Sequence, residues 1–121
     1  MRVRIEIGAK SLLNPSVPEQ RIEQAQMWLD NEVIKDCNPY VPFRTGALAG
    51  SAIRHTIIGS GQVVYETPYA EKVYNSSGWN FNTSVHPLAQ DHWAEPVIAN
   101  NRNKYHDGVA KILLGRGYGN G

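Results

Sequence analysis

The residues best suited to chemistry are four in the second half of the chain, His86, Asp91, His92 and His106, with Asp107 next to the last of them. Imidazole and carboxylate groups bind zinc and other divalent ions, and they also serve as general acids and bases. A cluster of these side chains would suit a small metal-dependent nuclease or hydrolase.

The spacing of the histidines argues against one shared ion. Two histidines that bind one ion from a helix are usually about four positions apart. His86 and His92 are six apart with Pro87 between them, and His92 and His106 are fourteen apart. On a straight helix with a rise of about 1.5 Å per residue, fourteen positions span roughly 20 Å. Metal-dependent hydrolysis therefore stays as the alternative hypothesis.

Other catalytic and nucleotide-binding motifs are absent from the sequence. It has no Gly-x-Gly-x-x-Gly or Gly-x-x-x-x-Gly-Lys-Ser/Thr phosphate motif and no Gly-x-Ser-x-Gly nucleophile motif. His55 has no evident Ser or Cys partner, and Gly46 and Gly50 bracket the helix-favouring sequence Ala-Leu-Ala. We therefore predict that the protein uses no cofactor or metal, with the metal-dependent site kept as the alternative.

The composition is that of one folded domain, because 121 residues with 41% hydrophobic and 19% charged side chains suit a single core. The net charge of +1 is too small for an obligate nucleic-acid binder. The single Cys37 excludes an internal disulfide and is expected in the core. No apolar run reaches the roughly 18 residues of a membrane span, and the N-terminus lacks a signal-peptide pattern.

Charges are unevenly distributed along the chain. Between Glu19 and Asp36 there are five acidic residues and two basic ones, whereas from Arg102 to Arg116 four basic residues accompany only Asp107. Two interpretations remain open: oppositely charged helix faces in water, or complementary surfaces that meet between subunits.

The first two elements of the chain are predicted from two different sequence patterns. Val3, Ile5 and Ile7 alternate with charged residues, which indicates a half-buried strand that ends at Gly8 and needs a partner strand from elsewhere. Ser16 and Glu19 then have the spacing of a helix capping box.

A long helix should follow the capping box and end at Asn38-Pro39. Steps of three and four residues give it one apolar stripe, with Asp30 on another face. Met27 and Trp28 lie beside the stripe, either at the edge of the core, which we favour, or in a contact between subunits. The stripe consists of Ile22, Ala25, Leu29, Val33 and Cys37.

The middle of the chain is predicted to form a short helix capped by Thr45 and then a hairpin. The hairpin strands would be 53–58 and 62–66, joined at Gly59-Ser60-Gly61. Another short helix should cover 69–74, after Thr67-Pro68. The segment 91–114 should be mostly helical, with a break near Pro96 or a start near Glu95.

These elements predict an α+β fold, with a small antiparallel β-sheet packed against two longer helices and short helices in the connections. Residues 1–114 would form the single domain, and 115–121 a flexible glycine-rich tail. The polar loop 75–86 carries Trp79 and Phe81, which suggests that it faces a partner.

Three motifs in this order resemble those of minor capsid and tail-completion proteins from the neck of tailed phages. The family's element Arg/Asp-Thr-Gly-Ala-Leu-x-x-Ser is matched by residues 44–51, and its Tyr-Ala-x-x-Val-Tyr/Glu element by residues 69–74. An aromatic-led terminal helix is matched by His92-Trp93-Ala94-Glu95. The chain departs from the family pattern in its longer loop 75–86.

The resemblance implies a non-enzymatic structural protein of the phage virion. Such a protein is a subunit of a sixfold or twelvefold ring in the neck, where it joins the portal or head-completion adaptor to the tail-tube or tail-terminator protein. It would assemble in the host cytoplasm, with DNA present only as the contents of the channel and with no membrane contact.

The resemblance also implies which residues face partners. Arg44 and Arg54 are the candidates to face a DNA channel. The predicted partner interface comprises Arg44, Thr45, Gly46, Leu48, Ser51, Tyr69, Tyr74, Trp79, Phe81, Arg116 and Tyr118.

Overall fold

A computed structural model of the chain describes residues 2–9, 19–43, 46–77, 81 and 83–114. The fold is α+β, as predicted, with one two-stranded antiparallel sheet and helices packed around it. The elements in chain order are β1 (Arg2–Glu6), α1 (Glu19–Cys37), a 3-10 turn (Asn38–Tyr40), α2 (Ala47–His55), β2 (Gln62–Glu66), α3 (Ala70–Tyr74), α4 (Ala94–Asn100) and α5 (Arg102–Leu113).

The predicted first strand finds its partner in β2, about sixty residues later in the chain. Val3 lies opposite Tyr65 and Ile5 opposite Val63, and all four side chains are buried on one face of the sheet. The charged residues of β1 alternate with them and are exposed. The period-two pattern of the sequence is therefore the pattern of this half-buried sheet.

The predicted hairpin of 53–58 with 62–66 is wrong in its first strand. Helix α2 continues through His55 and ends where the Thr56 N–H bonds to the Ala52 carbonyl. The β-branched residues that suggested a strand, Ile53 and Ile57, are instead 75% and 76% exposed. Packing of the opposite side of α2 against β2 outweighs their strand propensity.

The core is centred on α1, whose predicted stripe is confirmed from Ala25 through Cys37. Trp28 packs on the edge of this core, as favoured from the sequence, whereas Met27 remains about half exposed. Among the described residues, Trp93 is the largest fully buried side chain, and its ring meets Tyr65 and Tyr74 edge to face.

The C-terminal helical segment is divided in two at Asn101. The Asn101 side chain donates a hydrogen bond to the Val97 carbonyl at the end of α4, and α5 begins at the next residue. Pro96 lies in the first turn of α4, where its missing N–H interrupts no helical hydrogen bond. No helix in the described part of the chain is long and apolar enough to cross a membrane.

Asp30, which was predicted to lie on a different face of α1 from the apolar stripe, is fully buried. Its Oδ2 accepts hydrogen bonds from the backbone N–H groups of Gly59, at 2.7 Å, and Gly61, at 3.2 Å. Its Oδ1 accepts one from Gln26, whose amide also bonds Ile7 and Ala9. A buried carboxylate thus connects α1 to the turn before β2 and to the end of β1.

The acidic and basic runs meet within one chain, an arrangement that neither interpretation of the sequence anticipated. Lys104 on α5 forms ion pairs with Glu32 and Asp36 on α1, and the Tyr105 hydroxyl donates to Asp36 at 2.8 Å. Burial lowers the pKa of Lys104, but the hydrogen bonds to Asp36 and Glu32 outweigh it and raise that pKa overall. These charges therefore fasten α5 to α1.

Candidate interaction surface

The histidines of the candidate catalytic cluster each contact a different local partner. The His86 Nδ1–H donates to the Val41 carbonyl at 2.7 Å, and its ring packs on Phe43. His92 Nδ1 pairs with the adjacent Asp91 at 2.7 Å. In the described part of the chain, no group of three or more His, Cys, Asp or Glu residues could hold a metal ion.

His106 likewise forms no such site with the described residues, where its ionic neighbour is the exposed Asp107 at 3.7 Å. His92 has a left-handed backbone with a φ of 46°, which is strained for a residue with a side chain. Its N–H donates to the Tyr74 carbonyl, and its ring lies against that of Tyr74. The strain thus belongs to the junction between α3 and the turn that leads into α4.

The backbone conformation of the turn before α2 requires the glycine of the Arg-Thr-Gly-Ala-Leu element. Gly46 is the N-cap residue of α2 with a φ of +82°, and a Cβ there would stand 3.1 Å from the Phe43 ring. The predicted capping residue, Thr45, lies outside the described residues, as does Arg44. Only glycine adopts this backbone without strain, so the sequence specifies where α2 begins.

Leu48 and Ser51 are buried in the protein interior, where they hold α2 in position. Ser51 Oγ donates to the Leu48 carbonyl and accepts from the Glu66 N–H of β2. Thr56 Oγ1 accepts from the Val64 N–H in the same way. The side chains of α2 and of Thr56 thus complete the outer edge of β2 in place of a third strand.

The opposite side of α2 forms an exposed apolar surface that was missed in the sequence because its residues were assigned to a strand. We call the patch of Ile53 on α2 and Ile57 in the turn that follows the helix the α2 surface. Both isoleucines are about three-quarters exposed. The Arg54 guanidinium folds back over Gly50 and donates to the Ala47 carbonyl at 3.0 Å. Glycine at position 50 leaves the space that this arginine occupies.

The remaining predicted interface residues differ in position. Tyr69 is 39% exposed at the start of α3, whereas Tyr74 packs against Trp93. Phe81 is partly buried and has a partner. Trp79, Arg116 and Tyr118 lie outside the described residues.

Hydrogen bonding and burial shift the pKa values of ionisable groups near the sheet and in the core. A hydrogen bond from Arg2 lowers the pKa of Glu66, and His55 pairs with the same carboxylate at 3.2 Å. Burial raises the pKa of Cys37 to about 12 and that of Tyr74 to about 12. These shifts move the pKa values of Glu66, Cys37 and Tyr74 further away from neutral pH.

Comparison with known proteins identifies one family. The sequence model of the family described as "minor capsid protein" matches residues 1–112. No curated protein and no solved structure matches the chain.

Proposed function

The chain belongs to the family of phage minor capsid proteins, since the family match spans 112 of its 121 residues, and we propose that it is a ring subunit of the virion neck. The family places the protein in the virion as a structural component. In the proposed role it is not an enzyme, and it links the portal or head-completion adaptor to the tail-tube or tail-terminator protein.

The observation that carries the proposal is the α2 surface. Ile53 and Ile57 are the two most exposed large apolar side chains in the described part of the chain. Each would release apolar area from water on docking, at roughly 25 cal/mol per Å². Ile53 stands on α2, whose other side is fixed to β2 by Ser51, and Ile57 lies in the turn just after the helix. A rigid, partly apolar helix face is suited to contact with a neighbouring subunit.

A ring requires that each copy use two different surfaces, because head-to-tail contacts close only when unlike surfaces meet. We propose that the α2 surface is one of them. Loop 75–86, with Trp79 and Phe81, and the tail residues Arg116 and Tyr118 would contact the head-side or tail-side partner. Arg44 and Arg54 would face the DNA channel.

The test is complementation of a phage that lacks its own copy of the gene with the double variant Ile53→Asp/Ile57→Asp. Because both side chains are exposed, the variant should fold with an unchanged circular dichroism spectrum. It should fail to enter particles and lower the yield of infectious phage at least about a hundredfold, since two charges would be desolvated in every contact. The matched control, Ile53→Leu/Ile57→Leu, keeps the apolar area and should support normal assembly.

Two results would count against the proposal. Normal incorporation of the aspartate variant would remove the α2 surface from the assembly contacts. Localisation of the tagged wild-type protein by electron microscopy to the head shell, with none at the head-tail junction, would keep the virion role and overturn the position in the neck.

A further inference from the structure

We propose that the free edge of β1 pairs with β1 of a second copy of this chain, antiparallel, to make a four-stranded sheet in the unassembled protein. The inference does not depend on the position in the neck. It rests on two observations: the two edges of the sheet differ in the hydrogen bonding of their outward backbone groups, and the charged residues of β1 follow a particular order.

The two strands fix which backbone groups of β1 point outward. Residues opposite each other in an antiparallel pair alternate between hydrogen-bonded and non-hydrogen-bonded pairs. Ile7 N–H donates to Gly61, whereas the Val64 and Glu66 N–H groups bond to side chains on the far side of β2. The backbone N–H and C=O groups of Val3 and Ile5 therefore point towards β2. Those of Arg2, Arg4 and Glu6 point away from it.

The backbone N–H groups on the outer edge of β2 are hydrogen-bonded to side chains, whereas among the described residues the outer edge of β1 has no partner. Within the described residues, no group accepts a hydrogen bond from the Arg4 or Glu6 backbone N–H. The side chains of both residues are exposed. Helix α3 packs against β1, and its buried residue Ala70 joins the same core as Val3 and Ile5. An unpaired edge of this kind is a template for another strand.

The charges of β1 favour its own copy as that strand. A two-fold axis at Ile5 places Arg4 opposite the partner's Glu6 and Glu6 opposite the partner's Arg4. Both pairs are of the hydrogen-bonded type, so each exchanges two backbone hydrogen bonds. Opposite charges directly across such a pair are attractive. Placing the axis at Arg4 instead would bring two arginines together, so the charges select the first register.

This contact differs from the ring contact in symmetry. It uses the same surface on both copies and therefore closes after two. All copies in a neck ring point the same way along its axis, whereas copies related by this two-fold axis point in opposite directions. The paired form is thus a state of the free chain, and its presence or absence leaves the neck proposal unaffected.

Sedimentation equilibrium of the purified chain over a range of concentrations tests the pairing. The wild type should show a reversible monomer–dimer equilibrium. Arg4→Glu and Glu6→Arg should each weaken dimerisation by about tenfold or more, because each puts like charges across both symmetric pairs. The double variant Arg4→Glu/Glu6→Arg restores opposite charges and should return the dissociation constant to within about threefold of wild type.

Proline at position 4 tests the backbone contribution. Arg4→Pro removes only an outward-pointing N–H, which edge strands tolerate, so the variant should stay folded but monomeric. Arg4→Thr, which keeps the N–H, should still dimerise. A wild-type chain that remains monomeric at all concentrations would overturn the proposal, as would a dimer that neither charge reversal nor Arg4→Pro weakens. If Arg4→Pro fails to fold, the charge-reversal series decides alone.

Discussion

The indole ring of Trp28 on α1 lies directly over Gly108 on α5. A Cβ added at position 108 would stand 2.1 Å from Cη2 of the ring. Gly108 and the neighbouring Val109 are buried, so the absence of a side chain lets the two longest helices approach closely. A glycine inside a helix normally costs about 1 kcal/mol relative to alanine, and here the contact with Trp28 offsets that cost.

We expect Gly108→Ala to lower the free energy of unfolding by about 1–3 kcal/mol, although alanine is the better helix former, because the ring must move. Urea denaturation provides the measurement. In a Trp28→Leu background the same change should cost much less, which gives a coupling energy between the two positions. An equal cost in both backgrounds would contradict the steric explanation.

Much of this fold can be predicted from the sequence, and the failures have a common cause. The alternation of β1 and the stripe of α1 depend on local periodicity, so both were predicted correctly. The assignment of Ile53 and Ile57 to a strand failed because short β-branched segments are decided by packing against distant elements. The burial of Asp30 and the close packing of Trp28 on Gly108 likewise depend on contacts with residues far away in the chain.

Asp30→Ala should lower the free energy of unfolding by about 3 kcal/mol or more, because it leaves buried N–H groups without an acceptor. Gly59 and Gly61 lose their bonds to the carboxylate, and hydrogen exchange of these two amides should accelerate. Asp107→Ala is the control, since its carboxyl is exposed and the expected change is under about 0.5 kcal/mol. Equal stability of the two variants would show that the Asp30 network contributes nothing.

The thiol of Cys37 should be unreactive in the folded protein. It is fully buried, and burial raises its pKa to about 12, so little reactive thiolate forms at pH 8. Labelling with a thiol-specific chromogenic reagent should therefore require unfolding and follow the urea transition. A chain with Cys37→Ala and Ser77→Cys, in which the cysteine is exposed, should react at once without urea. Rapid labelling of native Cys37 would place the thiol at the surface.

The candidate site is less predictable than the fold. The glycine of the Arg-Thr-Gly-Ala-Leu element marks a left-handed backbone, which a sequence can reveal. Leu48 and Ser51 of the same element are buried residues of α2, while the exposed Ile53 and Ile57 lie outside the element. Exposure depends on which face of α2 meets β2, and local sequence does not determine that. The interface role of the predicted residues remains a prediction.

The pair of Arg2 and Glu66 predicts a pH dependence of stability. The hydrogen bond from Arg2 lowers the pKa of Glu66 in the folded state, although burial acts in the opposite direction. A carboxyl with a lowered pKa stabilises the fold above its unfolded pKa, and this stabilisation is lost as the pH falls through the lower folded value. Arg2→Gln should therefore raise the pKa of Glu66, measured by carbon NMR. It should also make the free energy of unfolding fall less steeply as the pH is lowered. Lys72→Gln removes the same charge from exposed α3 and should leave the Glu66 titration unchanged; an unchanged titration in Arg2→Gln would mean that another group sets this pKa.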